Sequence, residues 1–404
     1  MKSKKTYPFN IFFLISIAIV YFILFIALNK LQYPPVADEG HYWETSLRFS
    51  YSLIPNLELL RDYGELNTPL PFMIFGGLEY LFKGGIFAGR FFNLIISFLM
   101  TCLIGLPRGR LTKKSILSVC GLLLFPYYLI LSGRLYTDII ATFFVLLGLW
   151  FYTRSQHILS SFAFILAIAS RQFMLAFPLA ITVVELVNYV VTKFRIHRLT
   201  KVSNLQLEND LTKTRINPIR WLMPLIASLT IVGWLLFFEG IAPEAGMAAR
   251  TVPKVQQNLW LIDLSGSWFF LSCVGFYFVI PELVLFRPKI LRSKILTRKN
   301  LFIAVALLLI ILIFPLSQGH GIFFRLLQFL PNELFRLALL YFLALLACLR
   351  FSRINLAFWI LLIHCGLMIK AYPWDKYVLP LLVIFWFLKS RNILDRRSLK
   401  KLQL

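Results

Sequence analysis

The chain has 404 residues, 59% of them hydrophobic, and a formal net charge of +24. Such an apolar share lies above that of soluble globular domains and predicts an all-α polytopic membrane protein. The positive charge could mark a nucleic-acid surface, but Lys and Arg fall in short breaks between apolar runs, which reads as membrane topology and excludes nucleic acid as the partner.

The first apolar run, Asn10 to Asn29, carries no charge and has the length, about 20 residues, that crosses a bilayer core. Met1 to Lys5 before it is basic, but no small-residue cleavage motif follows the run, so it reads as a retained anchor. Assigning later breaks alternately to the two sides predicts twelve spans, over 10–29, 87–106, 115–132, 139–153, 158–170, 173–192, 221–239, 266–286, 300–315, 333–349, 354–369 and 377–388. Both termini are then cytoplasmic. Most Lys and Arg face the cytoplasm, as positive-inside bias requires, and most Asp and Glu face the other side, which that bias does not explain.

This parity requires Leu70–Phe82, short and carrying Glu79, to be an interfacial helix rather than a span. It also requires Arg171-Gln172 to be a tight outer turn. The chain reads as one domain, 1–404, with a long first outer loop over 30–88 and a basic cytoplasmic loop over 193–220. The outer loop is rich in aromatic residues, is punctuated by Pro55, Pro69 and Pro71, and has apolar spacing in His41–Leu53 that fits a helix lying flat. Asp38 and Glu39 stand where the first span emerges. The five cysteines, Cys102, Cys120, Cys273, Cys348 and Cys365, lie in apolar runs without paired spacing or histidine neighbours, so no zinc site is read, and no other metal-ligand cluster is evident.

These stretches resemble the GT-C superfamily of integral-membrane glycosyltransferases, whose donors are polyprenyl-phosphate sugars. The likeness rests on Asp38-Glu39, on Asn67-Thr68-Pro69-Leu70-Pro71, on Phe87-Ala88-Gly89-Arg90-Phe91, on Gly133-Arg134-Leu135-Tyr136-Thr137-Asp138 and on Asp375-Lys376-Tyr377-Val378-Leu379-Pro380. Together with Arg171-Gln172, their order is most similar to the dolichyl-phosphate-glucose α-1,2-glucosyltransferases. The end of the chain departs from that branch, lacking an Asn-Arg-His-Tyr motif and carrying a bacterial-type ending instead.

The resemblance implies transfer of a hexose from the lipid phosphate to a hydroxyl of a glycan or lipid-linked acceptor at the outer or lumenal face. Some members use a divalent metal, although most need none. Such transfer needs a base for the acceptor proton, which a carboxylate with a modestly raised pKa can supply. Adjacent residues diverge, so one carboxylate acts and the other positions. The resemblance implies Asp38 as base and Glu39 as the residue orienting acceptor hydroxyls. The departing phosphate needs cations rather than a general acid. Arg134, Arg171, Arg325, Lys376 and His320 are the outer-face candidates, with His41, Thr68, Asp138 and Gln172 beside them in the motifs. Direct displacement inverts the anomeric carbon.

Plainer readings compete. Arg134 and Asp138, four apart, fit a helix-end ion pair, Arg171 a snorkelling side chain, and His320 a loop residue. Twelve spans with a basic loop after the sixth also describe a secondary transporter, although a carrier would place its working charges mid-span. The ending Lys400-Lys401-Leu402-Gln403-Leu404 lacks dilysine retrieval spacing. A bacterial plasma membrane is therefore expected, or the endoplasmic reticulum if the chain is eukaryotic.

Overall fold

The computed structural model describes residues 7–202, 217–250, 252–257, 260–287, 297–316 and 319–396. Among them the fold is helical, and the isolated β contact is a bridge between His320 and Trp374. Helices form over Tyr7–Ala27, Gly85–Gly105, Lys113–Leu123 with Pro126–Ser132, Thr137–Thr153 and His157–Ser170. Further helices span Ala176–Val202, Ile219–Phe237, Ser265–Phe286, Arg298–Ile313, Glu333–Arg350, Leu356–Met368 and Leu379–Ser390. Among the described residues, five helices are long and apolar enough to cross a membrane, or six if the bent pair at Pro126 is one span. Half of the 193–220 loop, 203–216, and both chain ends beyond 7–396 lie outside the described residues, while the helix Ala176–Val202 runs into the first part of that loop.

Local chemistry sets the breaks. Thr112 and Ser115 form a reciprocal capping box, and Asn56, Thr297, Asn332 and Asn355 each accept the backbone N–H three residues on. Pro126 has no N–H to continue the preceding helix, and the pair bends there by 75°. Arg171 is extended (φ −157°, ψ 129°) and starts a 3-10 turn, Gln172–Leu175, so the polypeptide does break there. In the segment after the first helix, Leu70–Phe82 is a helix with the expected limits, and the helix expected over His41–Leu53 runs from Glu39 to Arg48. A short helix, Leu57–Arg61, lies between them.

Leu379–Ser390 is apolar all round and buried nearly all round, the pattern of a central helix. It packs on Lys113–Leu123, Thr137–Thr153 and Gly85–Gly105, and a Cβ at Gly121 would collide with the Trp386 indole, so only glycine admits this approach.

The breaks collect alternately at two ends of the bundle. At one end Asn10 Nδ2 donates to the Gly109 carbonyl at 2.8 Å, Lys114 Nζ to Asn392 Oδ1 at 2.6 Å and Asn355 Nδ2 to the Leu394 carbonyl at 2.9 Å. Glu282, Arg350, Lys389 and Asp395 also form an ion network there. At the other end Tyr33 Oη donates to the Gly133 carbonyl at 2.8 Å, Gln172 Nε2 to the Leu66 carbonyl at 2.7 Å and Gln256 Nε2 to the Lys370 carbonyl at 2.7 Å. The helix Thr137–Thr153 connects the ends, with Asp138 in one cluster and Tyr152 hydrogen-bonded to Glu185 in the other.

Candidate active site

Asp38 and Glu39 open the same helix and point into different surroundings, as side chains one residue apart must. Glu39 is fully buried. Arg90 grips it with a two-point fork, Nε to Oε1 at 2.7 Å and Nη2 to Oε2 at 2.8 Å. The backbone N–H groups of Leu135 and Val36 donate to the same carboxylate at 2.8 and 3.2 Å. Arg90 Nη1 donates to the carbonyls of Leu31 and Tyr33 at 2.8 and 2.7 Å. Glu39 thus ties the emerging first helix to the Arg134–Tyr136 turn. It lines neither cavity, contrary to the expectation that it would orient acceptor hydroxyls.

Asp38 faces a cavity of about 690 Å³. Its Oδ2 lies 2.9 Å from Lys376 Nζ and its Oδ1 3.4 Å from Arg250 Nη2. Burial pushes its carboxyl up, but Lys376, Arg250 and Arg171 outweigh that and hold it below the usual carboxylate range. This is opposite to the raised pKa expected of a base. The Lys376 ammonium lies 3.5 Å over the Trp374 ring, and burial lowers its pKa while Asp138 and Asp38 offset part of the shift.

Arg250 Nη2 also stands 3.2 Å from Glu65 Oε1. Glu65 lines the same cavity and is only 2% exposed, and its Oε1 makes no hydrogen bond. Burial raises the Glu65 carboxyl to about 7; Arg250 and Arg171 pull it down while Asp38 pushes it further up. Its backbone is clamped, since a Cβ at Gly246 would run into the peptide of Glu65.

Arg171 closes the floor of this cavity. Its Nη1 is 2.9 Å from Asp138 Oδ1 and its Nε donates to Thr137 Oγ1 at 2.9 Å. Asp138 therefore pairs with Arg171, not with Arg134 one turn before it. Asp138 is fully buried behind Arg171 and lines neither cavity, and Thr68 is also buried, its Oγ1 donating to the Ile168 carbonyl at 2.8 Å. Both hold the frame rather than face the cavity. Gln172 and His41 do line it; Gln172 also bridges the Leu66 and Ile241 carbonyls, and His41 is 4.0 Å from Glu44.

A second cavity, of about 710 Å³, adjoins the first and shares His320, Trp374 and Lys376 with it. Arg134 and Arg325 line it, and Arg134 Nε and His320 Nε2 are buried there without hydrogen-bond partners. Burial holds the His320 imidazole below its usual pKa.

The wall between the cavities is fixed by Asp375. Its Oδ2 accepts from the Phe323 N–H at 2.7 Å and the Tyr277 hydroxyl at 3.0 Å, while the Ile322 N–H donates to Tyr127 Oη at 2.9 Å. Gly321 adopts φ +107°, and any Cβ there would strike the Asp375 carboxylate. Burial raises the pKa of Asp375, opposed by those donors.

Sequence reasoning singled out neither Glu65 nor Arg250. Glu65 was one of several acids in the first loop, for which the signal was the unexplained acidic excess, and Arg250 stood in a segment without a motif. Comparison of the chain with protein-family models, with curated proteins and with solved structures finds no match.

Proposed function

We propose that the protein is an inverting membrane glycosyltransferase that moves a hexose from a polyprenyl-phosphate sugar to a hydroxyl of a glycan or lipid-linked acceptor. The observation that carries this reading is the pairing of two adjoining cavities across Lys376. One holds the carboxylates Asp38 and Glu65; the other is lined by Arg134, Arg325 and His320, with unpaired donors. Carboxylates suit an acceptor hydroxyl that must lose a proton, and unpaired cationic donors suit a phosphate that leaves with an electron pair. Lys376, within reach of both, places positive charge where the breaking C–O bond would lie. Arg171, committed to Asp138 and Thr137, lends charge to the site without a free fork.

In this reading the twelve apolar helical runs are crossings, because successive breaks gather alternately at the two ends. The site end faces outward or towards a lumen, and the end bearing the basic 193–220 segment faces the cytoplasm. The placement of Asp38, Arg171 and Lys376 at helix ends favours a transferase over a twelve-helix carrier, which would hold working charges mid-span. The similarity of motifs to the dolichyl-phosphate-glucose branch makes a glucosyl donor the first to try.

Membranes containing the protein, given a panel of radiolabelled polyprenyl-phosphate hexoses with and without a chelator, are expected to pass label from one donor to a glycan or lipid-linked acceptor. Absence of transfer from every donor overturns the reading. The chelator arm reports whether a divalent ion takes part.

A further inference from the structure

Resting on the transferase reading, we propose that Glu65, rather than Asp38, is the catalytic residue that takes the acceptor's proton. Three features of the cavity carry this.

The first is the engagement of the two carboxylates. Asp38 has a cation on each oxygen, Lys376 at 2.9 Å and Arg250 at 3.4 Å, so its charge is matched on both sides. Glu65 has a single side-chain cation, Arg250 at 3.2 Å from Oε1, which it shares with Asp38, and a backbone N–H from Leu66. A carboxylate offers about four lone-pair sites, so one shared guanidinium and one backbone N–H leave room for an incoming hydroxyl.

The second is position. Glu65 lies in the wall of the cavity that also holds Asn67, Gln172 and His41, polar groups suited to sugar hydroxyls, whereas Asp38 is tied to Lys376 at the boundary with the cationic cavity. Asp38 thus becomes a positioning residue that fixes Lys376 and Arg250.

The third is rigidity. Gly246 packs against the Glu65 backbone so closely that no side chain fits there, and Tyr63, on the same turn, is fully buried. The carboxylate is held in place before any substrate arrives.

The groups facing Glu65 are Arg250, Asp38 and Arg171, with the Leu66 N–H and the hydroxyls of Tyr42 and Tyr63. Their sum leaves a carboxyl that titrates near neutrality, which suits a base working at that pH. In the step itself, the acceptor oxygen forms a bond to the anomeric carbon and its proton passes to the Glu65 carboxylate. The bond from that carbon to the phosphate oxygen breaks, its electron pair leaving with the lipid phosphate.

The test uses the full-length protein in detergent with the donor and acceptor found active in the membrane assay. Wild-type kcat/KM is expected to rise with pH through about 7 as Glu65 loses its proton. Glu65→Gln is expected to lower turnover roughly 10²–10⁴-fold and to abolish that rise. Asp38→Asn is expected to lower turnover while keeping a rise with pH. Glu65→Gln that turns over at the wild-type rate, or that keeps the wild-type pH profile, overturns the proposal. Should Glu65→Gln fail to fold, Glu65→Asp decides: slow turnover with a displaced pH profile supports the proposal and an undisturbed profile overturns it. A wild-type protein that transfers no sugar defeats the transferase reading instead, which keeps the two failures distinct.

Discussion

Glu39 is held by two guanidinium nitrogens and two backbone N–H groups, and none of these contacts reaches a cavity. Removing one partner of a buried ion pair strands the other, typically at about 3–5 kcal/mol. Glu39→Gln should therefore act on folding, lowering the thermal midpoint of the detergent-solubilised protein, rather than on apparent acceptor affinity. A Glu39→Gln protein that melts with wild type but binds acceptor poorly would restore the positioning role that the sequence implied. The divergence of Asp38 and Glu39 was legible, since neighbours on a helix cannot share a target. Which one faced the cavity was not, because that is decided by Arg90, a residue contributed by a different helix.

At the scale of elements, hydropathy and caps did most of what local sequence can do. Leu70–Phe82 has the limits expected of it, and the break at Arg171-Gln172 is present. The flat helix expected through Leu53 stops at Arg48, and its last turn crosses Gly76 at contact distance: a Cβ there would sit 2.7 Å from the Phe49 and Ser46 backbones. Periodicity carries no information about such a crossing. Glu65 and Arg250 were hidden for the same reason, as their meeting depends on how the Glu244–Ala249 turn folds back over the first loop.

The bend at Gly321, between the His320 bridge and the helix Ile322–Leu327, offers an elemental test. Gly321→Ala would need to keep φ +107° and would push on Asp375, the neighbour of Lys376. Turnover should fall at least tenfold while helix content by circular dichroism stays as in wild type. Undiminished turnover would show that this bend does not set the position of Lys376.

For the molecule as a whole, the proposed reading assigns the two ends of the bundle to opposite sides of the membrane by the distribution of basic residues. In a cysteine-free variant, a cysteine at position 56 should react with an impermeant reagent from outside, and one at 209, beyond the described residues, only from the cytoplasmic side. The reverse pattern would put the cavities on the face where no lumenal acceptor is found. Among the described residues five helices, or six with the bent pair, have the length and composition to cross a membrane, and the all-helical, apolar class was legible from hydropathy. The two cavities were not, as each is assembled from side chains brought together only by the bundle.

The helix at the centre of that bundle, Leu379–Ser390, leaves the ribosome after the helices that wrap it. Until it arrives, the nascent protein has a hollow where Trp386 will rest on Gly121, and the ammonium of Lys376 has not yet reached Asp38. Assembly thus orders itself in time: the acidic wall is inserted early, and the cation that separates the cavities is delivered by the element that also fills the core. A chain lacking that helix would hold Asp38 against Arg250 alone, so the proposed site gains its second cation only when the core of the bundle is filled.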